Sequence, residues 1–307
     1  MANDFLQQNT TSNFELFSSS YCIAWMTVYG VEAVAIVILN VLTIIIYLIA
    51  RSLRKRSLYL VINLAVADML APLTATYWIL RLGNNCHFWS INLFKRNEIN
   101  FAYEVLFHLP PTVSVTNLAV ISLERMHATY RPFNHRFIEK KIFGAAVAAV
   151  WLTPGLLTAI LWPLLQLDIS WHHLYAAYYL FLLCCLFIIL VSYTSIAAKF
   201  YCATPRQHHG ASGRERKLTK TLFYATIASL ILILPFIIFW FISVSHDSLH
   251  QTWLHLYNFL FCLCFANSLI NPVLYAFQIP EFKRVLFSLV RCRSRSGRVQ
   301  VFPLNDM

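Results

Sequence analysis

The sequence predicts an all-α membrane protein: a seven-transmembrane helix bundle followed by a short amphipathic eighth helix. Three observations carry this. Hydrophobic residues make up 59% of the chain and charged residues only 12%, far from the balance of a soluble domain. Apolar runs long enough to cross a hydrocarbon core of about 30 Å recur along its whole length. The basic residues fall almost entirely on one side of those runs. Runs of this length without strand-like alternation are helices, because a helix satisfies its own backbone in lipid.

The elements follow in order. Residues 1–21 form a polar tail with no Lys or Arg, so they lack the pattern of a cleaved signal peptide, and the first span is expected to insert as an uncleaved anchor. Asn9-Thr10-Thr11 in this tail is a glycosylation sequon. The transmembrane domain occupies 22–276, with spans at 22–50, 58–82, 98–130, 141–165, 172–202, 213–244 and 251–276. Residues 277–291 form an amphipathic juxtamembrane helix, and 292–307 a short tail. Loops this short leave no room for a soluble domain.

Charge orients the bundle. Of the 24 Lys and Arg, only Arg81, Lys95 and Arg96 share a side with the N-terminus. The rest cluster at 51–56, 125–141, 199–220 and 283–298. The positive-inside rule places the N-terminus outside and the C-terminus in the cytoplasm. Basic clusters confined to one membrane face read as contact with anionic inner-leaflet lipids, not as nucleic-acid binding. Cys22 and Cys86 lie on the oxidising side and are candidates for a disulfide. Cys184, Cys185, Cys262 and Cys264 lie within spans and read as packing residues. Cys292 follows the amphipathic stretch and is either palmitoylated or a free interfacial thiol.

Ionisable groups within spans cost about 2.5–3.5 kcal/mol near a helix centre and mark function by default. Three carboxylates qualify: Glu32 in the first span, Asp68 midway along the second, and Glu104 in the third. None has an intramembrane Lys or Arg partner in the sequence, so each is neutral, solvated or beside a cation. At the cytoplasmic end of the third span, "LERMHATYRPF" places Glu124 beside Arg125, whose planar fork can exchange one partner for another. The alternative is a snorkelling arginine that anchors a helix end. Glu215, opening the sixth span on the same side, is a second candidate partner. In "NSLINPVLYAF", Pro272 cannot donate to the carbonyl four residues back, and Asn267, Ser268 and Asn271 are available to satisfy freed groups or line a hydrated pocket. Pro235 can loosen the sixth span in the same way, and either proline alone is also compatible with a static kink.

Together these residues resemble the rhodopsin-like family of G-protein-coupled receptors over nearly the whole chain. The landmarks run in order: Asn40, "NLAVAD" ending at Asp68, Glu124-Arg125-Met126 for Asp-Arg-Tyr, Trp151, Tyr193, Pro235, Asn271-Pro272-Val273-Leu274-Tyr275, then "EFKRVLFSLVRC". The resemblance implies that Asp68, Ser114, Asn267, Ser268 and Asn271 surround an allosteric sodium ion, with no other cofactor. It implies that Glu124 and Glu215 restrain Arg125 at rest. On activation Arg125, Tyr193 and Tyr275 would regroup around a heterotrimeric G protein as the sixth helix swings out. It also implies a plasma-membrane receptor for an extracellular ligand, without enzymatic activity.

The departures are informative. Ile233 stands where the family has a tryptophan, Cys185 where the fifth span has a proline, and Asn100 where the third span has a cysteine. Residues 166–171 contain no cysteine, so the family's common outer disulfide is absent. Without the tryptophan, the usual relay from ligand to core lacks its ring, implying unusual ligand control or high basal activity. The cysteine-free second outer loop resembles that of melanocortin-type and some lipid receptors.

Positions matching the family's ligand pocket are Trp78, Glu104, Phe107, His108, Phe236, Trp240, Tyr257 and Phe261. An aromatic lining with one acid and one histidine suits a lipid, a small amphiphile or a short peptide, though aromatics at span ends also serve as interface belts. Phe265 in place of a lysine excludes retinal attachment, and Phe107 in place of the aminergic aspartate disfavours a standard monoamine site. His172 and His173 point apart on a helix and do not form one metal site. Set against the receptor reading is a seven-helix protein without a ligand switch, signalling constitutively or serving as a heteromer partner. A transporter or membrane enzyme finds no support, for the chain has no internal repeat and no Gly-x-Ser-x-Gly motif.

Overall fold

In lipid, every backbone polar group needs a partner within the chain, and long helices supply most of them here. The structure is a computed structural model describing residues 18–49, 58–90, 97–137, 139–166, 171–202, 213–243, 251–278 and 282–288. The helices are α1 (Ser19–Ile49), α2 (Leu58–Asp68), α3 (Ala71–Asn85), α4 (Asn97–Tyr130), α5 (Pro132–Arg136), α6 (Lys140–Gln166), α7 (Trp171–Cys202), α8 (Gly213–Ser243) and α9 (Gln251–Gln278). A final helix, α10, covers 282–288. The spans are α1, α2 with α3, α4, α6, α7, α8 and α9. Five of these among the described residues are long and apolar enough to cross a membrane by themselves. The other two, α4 and α8, complete the bundle: α4 is less apolar because it carries Asn97, Glu98, His108 and two prolines.

The packing keeps an apolar core but also turns an apolar surface outward and draws polar groups inward. Large apolar side chains such as Val31, Phe187 and Ile231 point outward, whereas Asn40, Asp68, Ser114, Asn117, Asn267 and Asn271 are buried. This is the distribution expected when lipid is the solvent and polar groups face the bundle interior. The fourth helix, α4, is the hub, packing against α2, α3, α6, α7 and α8, while α1 closes against α2, α3 and α9. A chain of amides fixes three spans together. Trp151 Nε1 donates to Asn63 Oδ1 (2.9 Å), Asn63 Nδ2 to Asn117 Oδ1 (3.3 Å), and Asn117 Nδ2 to the Leu60 carbonyl (2.9 Å). Tyr29 donates to Asn258 Oδ1 (2.7 Å) and ties α1 to α9. Cys22 and Cys86 form a disulfide with Cα atoms 6.5 Å apart, joining the start of α1 to the end of α3.

Prolines shape three of the spans, and at two of them the structure differs from the sequence expectation. The second span is not one helix: α2 stops at Asp68, and α3 restarts at Ala71 with Pro72 in its first turn. Pro72 has no N–H for the Asp68 carbonyl four residues back, so Leu70 and Leu73 close the turn through tighter bonds to Ala67 (3.0 Å) and Leu70 (3.1 Å). The third span holds Pro110 and Pro111 inside α4. Around that interruption Tyr178 donates to the His108 carbonyl (3.2 Å), and Thr112 donates to the Tyr178 hydroxyl (2.8 Å). At Pro272, the freed carbonyl is that of Ser268, and the group that satisfies it is Asn40 of α1, not a neighbour in α9. Asn40 Nδ2 donates to the Ser268 and Ile36 carbonyls, both at 3.0 Å.

The juxtamembrane helix expected over 277–291 is described over 282–288. Phe282, 2% exposed, anchors it with its ring 5.6 Å from Tyr47 and 6.2 Å from Tyr275. Asn9 and Cys292 lie outside the described residues.

Replacing Asn40 by Leu leaves the Ser268 carbonyl buried without a partner, which costs about 1–3 kcal/mol. A lower unfolding midpoint of the purified protein in detergent is the expected result, and an unchanged midpoint would show that water serves the carbonyl equally well.

Candidate functional site

Two sites share the bundle axis, a cavity joined to a polar cluster and a charged clamp at the basic end. The cavity, about 70 Å³, lies between α3, α4, α7, α8 and α9. Phe107, Phe236 and Phe261, all singled out from the sequence, are in its wall together with Tyr178 and Tyr179. Phe107 and Phe261 are stacked with centroids 5.4 Å apart. Trp78, His108, Trp240 and Tyr257 are not in the wall; they brace it. Trp78 meets the Phe261 ring edge-on at 5.6 Å, Tyr257 stacks on Phe261 at 5.9 Å, and Trp240 lies 4.5 Å from Tyr179. His108 packs edge-on against Tyr178 at 4.4 Å. The side chain of Glu104 lies outside the described residues, as do those of His172 and His173. Ile233 is in the cavity wall and 6% exposed.

Below the aromatic zone sits Asp68, 1% exposed. Its Oδ1 accepts from Ser114 Oγ (2.8 Å) and Ser268 Oγ (3.0 Å), and its Oδ2 accepts from Asn271 Nδ2 (3.1 Å). Four of the five residues grouped from the sequence therefore meet. Asn267 is buried nearby in the cavity wall without a direct bond to Asp68. The amide oxygens of Asn267 and Asn271 are buried and accept no hydrogen bond from any described residue. A buried carboxylate with no Lys or Arg against it among the described residues, beside two orphaned oxygens, is a deficit of positive charge. An all-oxygen donor set suits a hard cation. Glu32 is separate: its Oε2 accepts from Cys262 Sγ at 3.0 Å, between α1 and α9.

At the basic end, Glu124 holds Arg125 through Oε2···Nε at 2.6 Å. Its other oxygen, Oε1, lies 2.7 Å from His135 Nε2. Arg125 is 5% exposed, and its Nη2 has no hydrogen-bond partner among the described residues. His135 was not legible as a partner in the sequence. It reaches Glu124 because Pro132 starts the short helix α5 directly after α4 and turns the chain back. The only sequence cue was a histidine eleven residues beyond a carboxylate, about three turns away along a continuous helix and out of reach there. The side chain of Glu215 lies outside the described residues. Tyr193 is buried with its ring 5.7 Å from Phe223, and the Tyr275 hydroxyl is buried without a hydrogen-bond partner among the described residues.

The family model of the 7 transmembrane receptor (rhodopsin family) matches residues 39–275, and the chain belongs to that family. It is thus a receptor, and a multi-pass plasma-membrane protein. The trace amine-associated receptor 7c of Rattus norvegicus is 27% identical over 90% of this chain and 85% of its own length. The substance-K receptor of Canis lupus familiaris is 22% identical over 94% of this chain and 80% of its own. That of Homo sapiens is 23% identical over 93% and 77%.

His135 is one of the partners that position Glu124, so removing it loosens the grip of Glu124 on Arg125. His135→Phe is expected to raise ligand-free nucleotide exchange on a G protein about fivefold, the effect of one net hydrogen bond of about 1 kcal/mol. His135→Gln, whose amide can still donate, is expected to restore the low rate.

Proposed function

We propose that this receptor binds an extracellular lipid, small amphiphile or short peptide in the aromatic cavity and catalyses nucleotide exchange on a heterotrimeric G protein. The closed Glu124–Arg125 pair carries this reading. An arginine held at 5% exposure by Glu124, with a terminal nitrogen that has no partner among the described residues, is poised to change partners. In the second packing Arg125, Tyr193 and Tyr275 face a G-protein helix inserted at the cytoplasmic end. An agonist acts by binding the second packing better than the first, and it shifts the equilibrium by no more than that difference.

The relatives named for a trace amine and for substance K support a diffusible ligand of amine or peptide chemistry. A sodium ion fits the polar cluster: Asp68 supplies charge, Ser114 and Ser268 supply hydroxyl oxygens, and the orphaned amide oxygens of Asn267 and Asn271 complete the set. Such an ion stabilises the packing that holds these helices together.

Exchange on a panel of G proteins by the intact chain in membranes, compared with Arg125→Ala, tests the coupling. Exchange that disappears with Arg125→Ala is expected. No exchange from surface-delivered protein, with or without candidate agonists, would favour the heteromer-partner reading. For the ion, Asp68→Asn is expected to abolish the dependence of thermal stability and signalling on sodium, and retention of that dependence would rule the assignment out.

A further inference from the structure

Two adjacent prolines, Pro110 and Pro111, stand inside α4. Neither has an N–H for the carbonyl four residues back, so two consecutive rungs, to the Leu106 and Phe107 carbonyls, are missing from the helix ladder. A helix bends at such a place unless something outside it holds the two arms. α4 is also the hub of the bundle, and its C-terminal arm carries Glu124 and Arg125. A hinge at 110–111 therefore sits between the aromatic zone and the charged clamp.

One side chain of α7 spans this break. The Tyr178 hydroxyl donates to the His108 carbonyl of the N-terminal arm (3.2 Å) and accepts from Thr112 Oγ1 of the C-terminal arm (2.8 Å). Its ring packs edge-on against the His108 ring with centroids 4.4 Å apart. Tyr178 is 3% exposed, so solvent does not compete for these bonds. A side chain that only filled space between α4 and α7 would need no hydroxyl, and phenylalanine would serve. The hydroxyl bridges the two arms.

The bridge stands in the cavity wall. Phe107 and Pro111, Ser114 and Val115 of the C-terminal arm, and Tyr178 and Tyr179 of α7 all line that space. Whatever fills or reshapes the cavity presses on both arms and on the residue that joins them. Tyr179 extends the contact: its ring lies 5.1 Å from Tyr178 and 4.5 Å from Trp240 of α8. Two tyrosines thus connect the hinge to the sixth span. This chain of contacts makes no use of position 233, where Ile233 stands in place of the family's indole.

Leverage makes a small bend count. Thr112 and Arg125 are thirteen residues apart in α4. That is roughly 20 Å of helix, so a change of about 5° in the bend carries Arg125 sideways by roughly 1.7 Å, beyond the ~0.5 Å spread of good hydrogen-bond lengths. The end of α7 is tied to the same arm, because Lys199 Nζ donates to the Thr129 carbonyl (2.6 Å) and Tyr130 donates to the Ser195 carbonyl (2.9 Å). The displacement of Arg125 is then felt against Tyr275 of α9.

We infer that Tyr178 is a positioning residue that latches a hinge at Pro110 and Pro111 of α4, and that a ligand in the cavity triggers the receptor by releasing this latch. The hinge takes over the relay that the missing tryptophan leaves open. The latch acts through the coupling by Arg125 proposed above, and its role as a trigger rests on that reading.

The test uses the full chain without ligand, in membranes for nucleotide exchange on a G protein and purified in detergent for amide deuterium uptake. Tyr178→Phe keeps the ring and removes the bridging hydroxyl. It is expected to raise exchange about fivefold, the effect of one net hydrogen bond, and to speed deuterium uptake across 105–118. Thr112→Val, which removes the donor to Tyr178, is expected to act in the same direction. In a Pro110→Ala/Pro111→Ala background the helix ladder is restored, and Tyr178→Phe is expected to change neither quantity. If that double variant does not fold, Pro110→Ala alone restores one rung and is expected to shrink both effects. A tyrosine with a merely structural role gives another pattern: Tyr178→Phe lowers the unfolding midpoint in both backgrounds and leaves exchange unchanged, which overturns the assignment. A rise in exchange that persists undiminished without the prolines overturns it too. If neither the intact chain nor any variant supports exchange above the level of Arg125→Ala, the coupling reading fails, and deuterium uptake decides the hinge by itself. Uptake raised by Tyr178→Phe only when the prolines are present keeps the hinge, and unchanged uptake sinks it.

Discussion

Two proline interruptions face each other at the centre of this molecule, and the rest of the interior is arranged around them. Pro72 cannot donate to the Asp68 carbonyl, and Pro272 cannot donate to the Ser268 carbonyl. The same two residues meet through their side chains, Ser268 Oγ donating to Asp68 Oδ1 at 3.0 Å. Lipid offers no water to repair such breaks. The repair comes from within: tightened turns at Leu70 and Leu73, and the amide of Asn40 reaching across from the first span. The two proline interruptions, the buried Asp68 and the amide oxygens of Asn267 and Asn271, unpartnered among the described residues, thus coincide.

That coincidence links the two functional ends. Ser114 and Ser268, two of the partners of Asp68, also stand in the cavity wall, so anything that moves them is felt both by the cavity and by the seventh span. Asn271 lies one turn before Tyr275, whose ring packs between Tyr47 and Phe282 next to the basic end. Arg125 sits at that end, held by a carboxylate that His135 holds in turn. A packed core with two discrete arrangements transmits small shifts because it does not deform continuously.

The departures from the family pattern have local consequences. Ile233 puts a small aliphatic side chain in the cavity wall where the family's pattern has an indole. With no disulfide from the third span to the second outer loop, the covalent tie on the N-terminal side is Cys22 to Cys86, which constrains the first two spans instead. The third span is then held on that side by packing and by Tyr178 around Pro110 and Pro111.

Composition, span length and basic clusters were enough to read a seven-helix membrane bundle from the sequence, because hydrocarbon permits few backbone solutions and the runs announce themselves. Local chemistry also identified Asp68, Arg125 and the Asn271-Pro272 pair, since polar groups are conspicuous in an apolar run. Partners were another matter. That Asn40 serves Ser268, that His135 shares Glu124, that Asn267 lines the cavity without bonding Asp68, and that Ile233 stands in the same wall all depend on distances across the bundle. Residues 228 apart in the chain, such as Asn40 and Ser268, meet only through helix packing. Single-chain periodicity says which face a residue occupies and nothing about what stands opposite, and this is why the tertiary structure alone decided how the site is joined.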